Sequence, residues 1–185
     1  MTSILSRKRD LAYLAFFLIH VPVMLCLDLA PFYPESLKPQ FITDIHTFYV
    51  GTYGDQFFSS PPAWFTFYTW MELLYHIPLS VWAIGALLRG SSSTCESEAG
   101  TTNGDAGNPK LPIHLLIFAV QTAVTTSTCI ADYLSWSGFS SEQKLELGKL
   151  YVPYLALSVF MGVDMYSRLN ASLSKRTPAG QNKVE

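Results

Sequence analysis

Charge is what this sequence has least of. Asp, Glu, Lys and Arg together make up 14% of its 185 residues, against roughly a quarter in an average soluble domain. Net charge is −2 and no Lys/Arg run alternates with aromatics along one surface, which excludes a nucleic-acid partner. Cysteine is scarce too. Cys26, Cys95 and Cys129 form no CxxC and cannot all pair; Cys26 and Cys129 lie in apolar runs and read as small core hydrophobes. No Cys/His cluster has zinc-ligand spacing, so neither a metal nor a cofactor is expected. Internal repeats are absent, and with them the inverted halves and paired broken helices of a secondary transporter. Above all, Lys and Arg are missing from the interiors of the long apolar runs.

What fills the chain instead is apolar sequence, 49% of it, with 12 Phe, 10 Tyr and 4 Trp crowding the run ends, where a membrane interface favours aromatics. A spanning helix needs about 20 mostly apolar residues. Four stretches qualify, at about 11–31, 62–88, 111–134 and 147–169. Residues 1–10 carry Arg7, Lys8 and Arg9, as a signal peptide would. The run that follows is too long for one, lacks an A-x-A site and carries Asp28, so it is read as a retained span. Pro22 and Pro153 predict kinks in spans one and four; Pro61-Pro62 suits a helix start. In the first connection, Phe41, Ile45, Phe48 and Tyr49 at helical spacing predict a short amphipathic helix over 39–50, packed under the bundle. The stretch 90–110 is Ser/Thr/Gly/Asn-rich and is expected to be flexible, and 170–185 is a polar tail. The fold class is therefore an all-α membrane protein, a four-helix transmembrane bundle.

Basic residues orient the bundle. Nine of the twelve Lys and Arg fall on the side of the termini and three (Lys38, Lys144, Lys149) on the other. The termini are expected in the cytoplasm and the amphipathic helix on the lumenal side.

Ionisable groups at membrane depth are expensive and mark function. His20 and Asp28 on span one are eight residues apart, about 80° around a straight helix. Glu72 and His76 on span two stand at i, i+4 and share a face. Asp55 sits in a turn-like Gly54-Asp55 and, taken alone, reads as a solvated turn residue; His76, taken alone, reads equally well as a bond between helices. Asp132 and Asp164 lie near span ends and read as interfacial, Asp164 within reach of Arg168. Gln121, Thr122, Thr125, Thr126, Ser127 and Thr128 on span three read as packing residues, and Tyr154 as cavity-lining or interfacial. Asp28 and Glu72 resist a structural explanation: apolar neighbours flank both, and no basic residue lies within two turns. A carboxyl so placed is protonated or shares a proton. The pattern suits an aromatic-lined cavity for an apolar ligand carrying one amine or hydroxyl. It suits equally acid/base chemistry on a buried hydrocarbon.

The ordered set His20-Val21-Pro22, Leu27-Asp28-Leu29, Asp55, Ser60-Pro61-Pro62-Ala63-Trp64-Phe65, Glu72-Leu73 and Tyr151-Val152-Pro153-Tyr154-Leu155 resembles the sigma-2-receptor-like members of the EXPERA superfamily, to which the emopamil-binding sterol isomerase also belongs. The resemblance covers about residues 10 to 170. It implies an endoplasmic reticulum membrane protein, a cavity opening sideways to the bilayer, a homodimer among membrane lipids, and sterols or amphiphilic amines as ligands. It further implies Asp28 as the anchor for a ligand amine, Asp55 hydrogen-bonded to Asp28, Glu72 deeper in the cavity, Tyr154 on its wall, and His20 holding the kinked span or lining the pocket. Two positions depart from the pattern. Met24 stands where the isomerase has an acid four residues after its histidine, and His76 stands where an amide is expected. The resulting expectation is a lipid-binding protein acting in sterol or lipid handling. One alternative is a double-bond isomerase with Glu72 and Asp28 as acid and base and His20 assisting; another is a membrane quality-control or targeting factor acting on precursor proteins. Lys183 alone makes no dilysine retrieval signal, so the expected location rests on the resemblance.

Overall fold

The computed structural model describes residues 4–89 and 110–176. Nearly all of the expected flexible stretch at 90–110, and the end of the tail, lie outside the described residues. The elements, in order, are α1 (Lys8–Val23) continued by a π-helical turn (Met24–Asp28), α2 (Gln40–Tyr53), α3 (Gln56–Ser59), α4 (Ala63–Met71) continued by a second π-helical turn (Glu72–His76) into α5 (Ile77–Leu88), then α6 (Leu111–Ser135) and α7 (Ser141–Arg176). No strand forms among the described residues.

Three helical units are long and apolar enough to cross a membrane: Lys8–Asp28, Ala63–Leu88 and Leu111–Ser135. They match the first three expected spans to within a few residues. The fourth expected span lies inside α7, which is not one of the three. Asp164, with Tyr151, Pro153, Tyr154 and Tyr166, lowers the hydropathy of its centre, and Glu142, Lys144, Glu146 and Lys149 make its first turns polar.

Both π turns adjoin a proline. A proline inside a helix has no amide to donate and crowds the carbonyl four residues back. Pro22 lies just before the first π turn and Pro78 just after the second. Each wider turn closes over five residues: Leu29 N donates to the Met24 carbonyl at 2.9 Å, and Ile77 N donates to Glu72 O. Neither turn was anticipated from a 3.6-residue period.

The expected helix forms as α2, but of Phe41, Ile45, Phe48 and Tyr49 only Tyr49 turns toward the bundle. Phe41, Ile45 and Phe48 point outwards, Phe48 being 70% exposed, while Ile42 is buried and Tyr49 and Tyr53 turn inwards. The tyrosines turn inwards because Tyr49 finds a hydrogen-bond acceptor there, and phenyl rings need none.

Two buried clusters hold the helices together. One lies toward the termini and joins Tyr13, Phe17, Ala83, Leu87, Leu115, Phe118 and Met161. The other, at the opposite end, centres on Phe57, stacked on Phe65 at 5.0 Å and edge-on to Trp136 at 4.9 Å. Beyond the first cluster, an ion network ties α1 to α5 and α7. Asp10 accepts from Arg7 (2.9 Å) and Arg168 (2.8 Å), and Asp164 accepts from Arg9 (2.7 Å), Arg168 (2.7 Å) and Tyr13 (2.8 Å). Arg7 also donates to the Leu87 carbonyl at the end of α5. Asp164 is thus a buried network member rather than an interfacial residue. Asp132 accepts from the Trp136 indole at 3.3 Å at the other end of the bundle.

Candidate functional site

Between the two clusters lies a cavity of about 490 Å³. Span one contributes Ile19, His20, Val23, Leu27 and Asp28; α2 contributes Tyr49 and Tyr53; α4 and its π turn contribute Phe65, Tyr68, Thr69, Glu72 and His76; α6 contributes Thr122, Thr125, Thr126 and Cys129; α7 contributes Leu150, Tyr151 and Tyr154. Five of the six residues singled out from the sequence therefore meet on one wall system: Asp28, Glu72, His20, His76 and Tyr154.

The first π turn explains how His20 and Asp28 come together. On a straight α-helix they would be about 80° apart. A π turn acts as one inserted residue, a lag of about 100°, which brings the two to within roughly 20° of one line. Met24, at the head of that turn, is fully buried and does not line the cavity.

Asp28 and Glu72 face the same space and interact electrostatically. Among the described residues no Lys or Arg lines the cavity, and neither carboxylate is held by a hydrogen bond from a protein side chain. Deeper in, the His20 ring stacks on Phe16 at 5.1 Å, and its Nδ1 meets the Tyr154 hydroxyl at 3.0 Å. His76 packs on Phe118 at 4.5 Å and lies 6.4 Å from His20, ring to ring. It is 1% exposed; none of its nitrogens, His20 Nε2 or Thr122 Oγ1 makes a well-formed hydrogen bond, although Gln121 lies beside His76 and Thr122 beside Tyr154. Buried polar groups are normally paired, so this end of the cavity carries unmet hydrogen-bonding capacity.

Asp55 behaves differently from expectation. It is fully buried but does not line the cavity. Gly54, at φ +63°, ends α2 in the left-handed conformation that favours glycine, and Asp55 then caps α3 by accepting from Phe57 N at 3.0 Å. Its other oxygen accepts from Tyr49 (2.9 Å) and Tyr151 (2.8 Å), two cavity-wall hydroxyls from different helices. Asp55 thus positions the wall and forms no hydrogen bond with Asp28. Burial raises its carboxyl above the usual carboxylate range, against the pull of those three donors. Burial and the neighbouring Asp55 likewise push the Tyr49 hydroxyl up.

Sequence reasoning missed Tyr49 and Tyr151 as partners of one buried acid, although Tyr151 stands in the quoted Tyr-Val-Pro-Tyr stretch. It also read the span-three hydroxyls as packing, whereas Thr122, Thr125 and Thr126 line the cavity. Among the described residues no group of three or more His, Cys, Asp or Glu side chains is placed to hold a metal ion.

A family model for EXPERA, the expanded EBP superfamily, matches residues 41–165. The chain is 26% identical over 161 residues to the human sigma intracellular receptor 2, covering 81% of this chain and 82% of that protein. The Xenopus tropicalis receptor of the same name is 23% identical, covering 88% and 91%. A Schizosaccharomyces pombe protein named efficient mitochondria targeting-associated protein 19 is 26% identical over 160 residues, covering 86% and 76%. With its membrane-capable helices and a family match spanning most of its length, this chain belongs to the EXPERA superfamily as a sigma-2-receptor-like membrane protein.

Proposed function

We propose that the cavity binds a sterol or amphiphilic amine, and that the protein serves lipid handling in the endoplasmic reticulum membrane with both termini in the cytoplasm. The observation that carries this reading is a cavity walled by membrane-capable helices that holds two carboxyls and, among the described residues, no Lys or Arg. A buried carboxylate is stable only when neutralised, and here a ligand ammonium at Asp28 supplies the missing charge. Aromatic walls take the hydrocarbon. The nitrogens of His76, His20 Nε2 and the Thr122 hydroxyl, none of them held by a well-formed hydrogen bond, take a hydroxyl at the deep end. In this reading the centre of α7 is the fourth span, and residues 11–169 form one four-span domain. The homodimer expected of the family remains part of the proposal.

Ile19, Val23 and Leu150 line the cavity and are exposed on the outer surface. They mark a mouth between α1 and α7 that would open toward the acyl chains.

One observation favours a second reading. Two carboxyls and two imidazoles on one hydrophobic cavity are the parts needed to protonate one carbon and deprotonate another, as a double-bond isomerase does. Met24 in place of the expected acid argues for binding alone. A third reading, a factor acting on precursor proteins, draws on the name of the fungal relative. The deciding experiment is sterol analysis of the purified protein after incubation with a Δ8-sterol, beside a Glu72→Gln control. Bound, unchanged sterol that is lost on Asp28→Asn supports the binding protein. Conversion to a Δ7-sterol that stops in the control makes it an isomerase. Neither binding nor conversion overturns both readings and leaves the precursor-protein role.

A further inference from the structure

A second hollow lies on the outer surface, separated from the candidate cavity by the Tyr133 and Tyr151 rings. It is a groove of about 610 Å³ between the end of α6 and the first turns of α7. Leu134, Leu145 and Val152 form its apolar sides, Lys144 and Lys149 its rim, and Tyr133 with Gly148 its floor. The apolar unit of α6 ends at Ser135, so the lysines stand where a bilayer's phosphate layer meets its acyl chains.

Two features make this groove a binding site rather than a surface accident. Tyr133 is 2% exposed, packed between Trp136 and Tyr151. Its hydroxyl nonetheless has no hydrogen-bond partner among the described residues. Residue 148 is glycine, and a Cβ there would lie 3.3 Å from that hydroxyl. The absence of a side chain therefore leaves the donor open to the groove. Second, Lys144 Nζ is fixed over the groove by one bond to the Leu134 carbonyl at 2.7 Å, and an ammonium keeps two further donors. Lys149 pairs only with Glu146, an exposed i, i+3 contact of the kind that contributes little and exchanges readily.

We infer that the groove binds a bilayer glycerophospholipid. Lys144 and Lys149 hold its phosphate, the Tyr133 hydroxyl donates to a headgroup or ester oxygen, and an acyl chain runs along Leu145 and Val152 into the hydrocarbon. Two ammoniums around an apolar slot match one phosphate on an acyl chain. The inference rests on α7 crossing the bilayer, but is independent of what the inner cavity binds.

The test is native mass spectrometry of the full-length protein in mild detergent, titrated with dioleoylphosphatidylglycerol or with dioleoylglycerol, which has the same chains and no phosphate. Phosphatidylglycerol should bind roughly tenfold more tightly, since charge-assisted bonds are the strong ones. Lys144→Gln with Lys149→Gln should reduce it to the diacylglycerol level, and the paired Lys→Arg variant should retain it, which separates lost charge from lost fold. Tyr133→Phe should weaken it about threefold, within the range of one neutral hydrogen bond. Gly148→Leu should block both lipids. Equal binding of the two lipids would overturn the inference, as would full affinity in the double Gln variant. Release of phosphatidylglycerol by inorganic phosphate at equal concentration would assign the site to free phosphate instead.

Discussion

The molecule buries acids at two levels and treats them in opposite ways. Near the termini, Asp10 and Asp164 meet Arg7, Arg9 and Arg168 in a closed network that ties three helices together. Midway along the bundle, Asp28 and Glu72 share a cavity with no cation at all. The same residue type is a fastener in one place and a vacant half of an ion pair in the other. What differs is access to a basic side chain. Arg7 and Arg9 come from the polar start of α1 and Arg168 from the polar end of α7, whereas Lys149, next to the wall residue Leu150, turns to the outer groove and pairs with Glu146. Breaking a buried pair leaves an uncompensated charge and costs far more than the pair itself contributes. The two sites should therefore respond oppositely to loss of charge.

The largest effect is expected at the network. Arg168→Met removes one partner from each of Asp10 and Asp164 and should destabilise the fold by about 3 kcal/mol, read as a drop in thermal unfolding midpoint in detergent. A midpoint equal to wild type would erase the contrast. Next, Asp28→Asn should leave that midpoint unchanged or raised while weakening amine-ligand affinity roughly a hundredfold, the value of a lost buried charge pair. Unchanged affinity in a radioligand assay would remove Asp28 as anchor. Smaller again, Glu72→Gln should weaken the same ligand by about tenfold or less, provided the protein does not catalyse isomerisation.

Asp55 sharpens the comparison most finely, because its partners are neutral hydroxyls. Its folded-state carboxyl titrates above the unfolded value. The stabilisation linked to its protonated form is thus fully present below the unfolded value, near pH 4, and is lost as pH rises through the raised one. The difference in unfolding midpoint between wild type and Asp55→Asn should accordingly shift in favour of the variant as pH rises from 4 toward neutrality. A constant difference over that range would mean the carboxyl does not titrate there.

Much of this was legible before any coordinates. Apolar runs long enough to span a bilayer betray themselves by composition, and an Asp, Glu or His inside one stands out because lipid tolerates so few. That is why Asp28, Glu72, His20 and His76 could be named from the chain. What escaped notice depended on geometry that composition does not carry. The π turns shift the helical phase, so a strict 3.6-residue period leaves His20 and Asp28 out of line when the folded chain aligns them. The direction of α2 was misjudged because Phe41, Ile45 and Phe48 look like core residues in a protein surrounded by water, whereas beside a membrane an outward phenyl ring is unremarkable. Asp10 carries no signal in the sequence, and Asp55 taken alone reads as a solvated turn, because each lies in polar sequence where a carboxylate is ordinary and only the fold buries it.

The mouth at Ile19, Val23 and Leu150 has a bearing on measurement. A ligand that enters through it is counted by its mole fraction among the lipids, not by its molarity in buffer. Two amphiphiles with identical fit to the walls would then rank by how strongly each partitions out of water. Diluting the same amount of ligand into twice the lipid would halve its occupancy at subsaturating levels, although nothing in the aqueous recipe had changed.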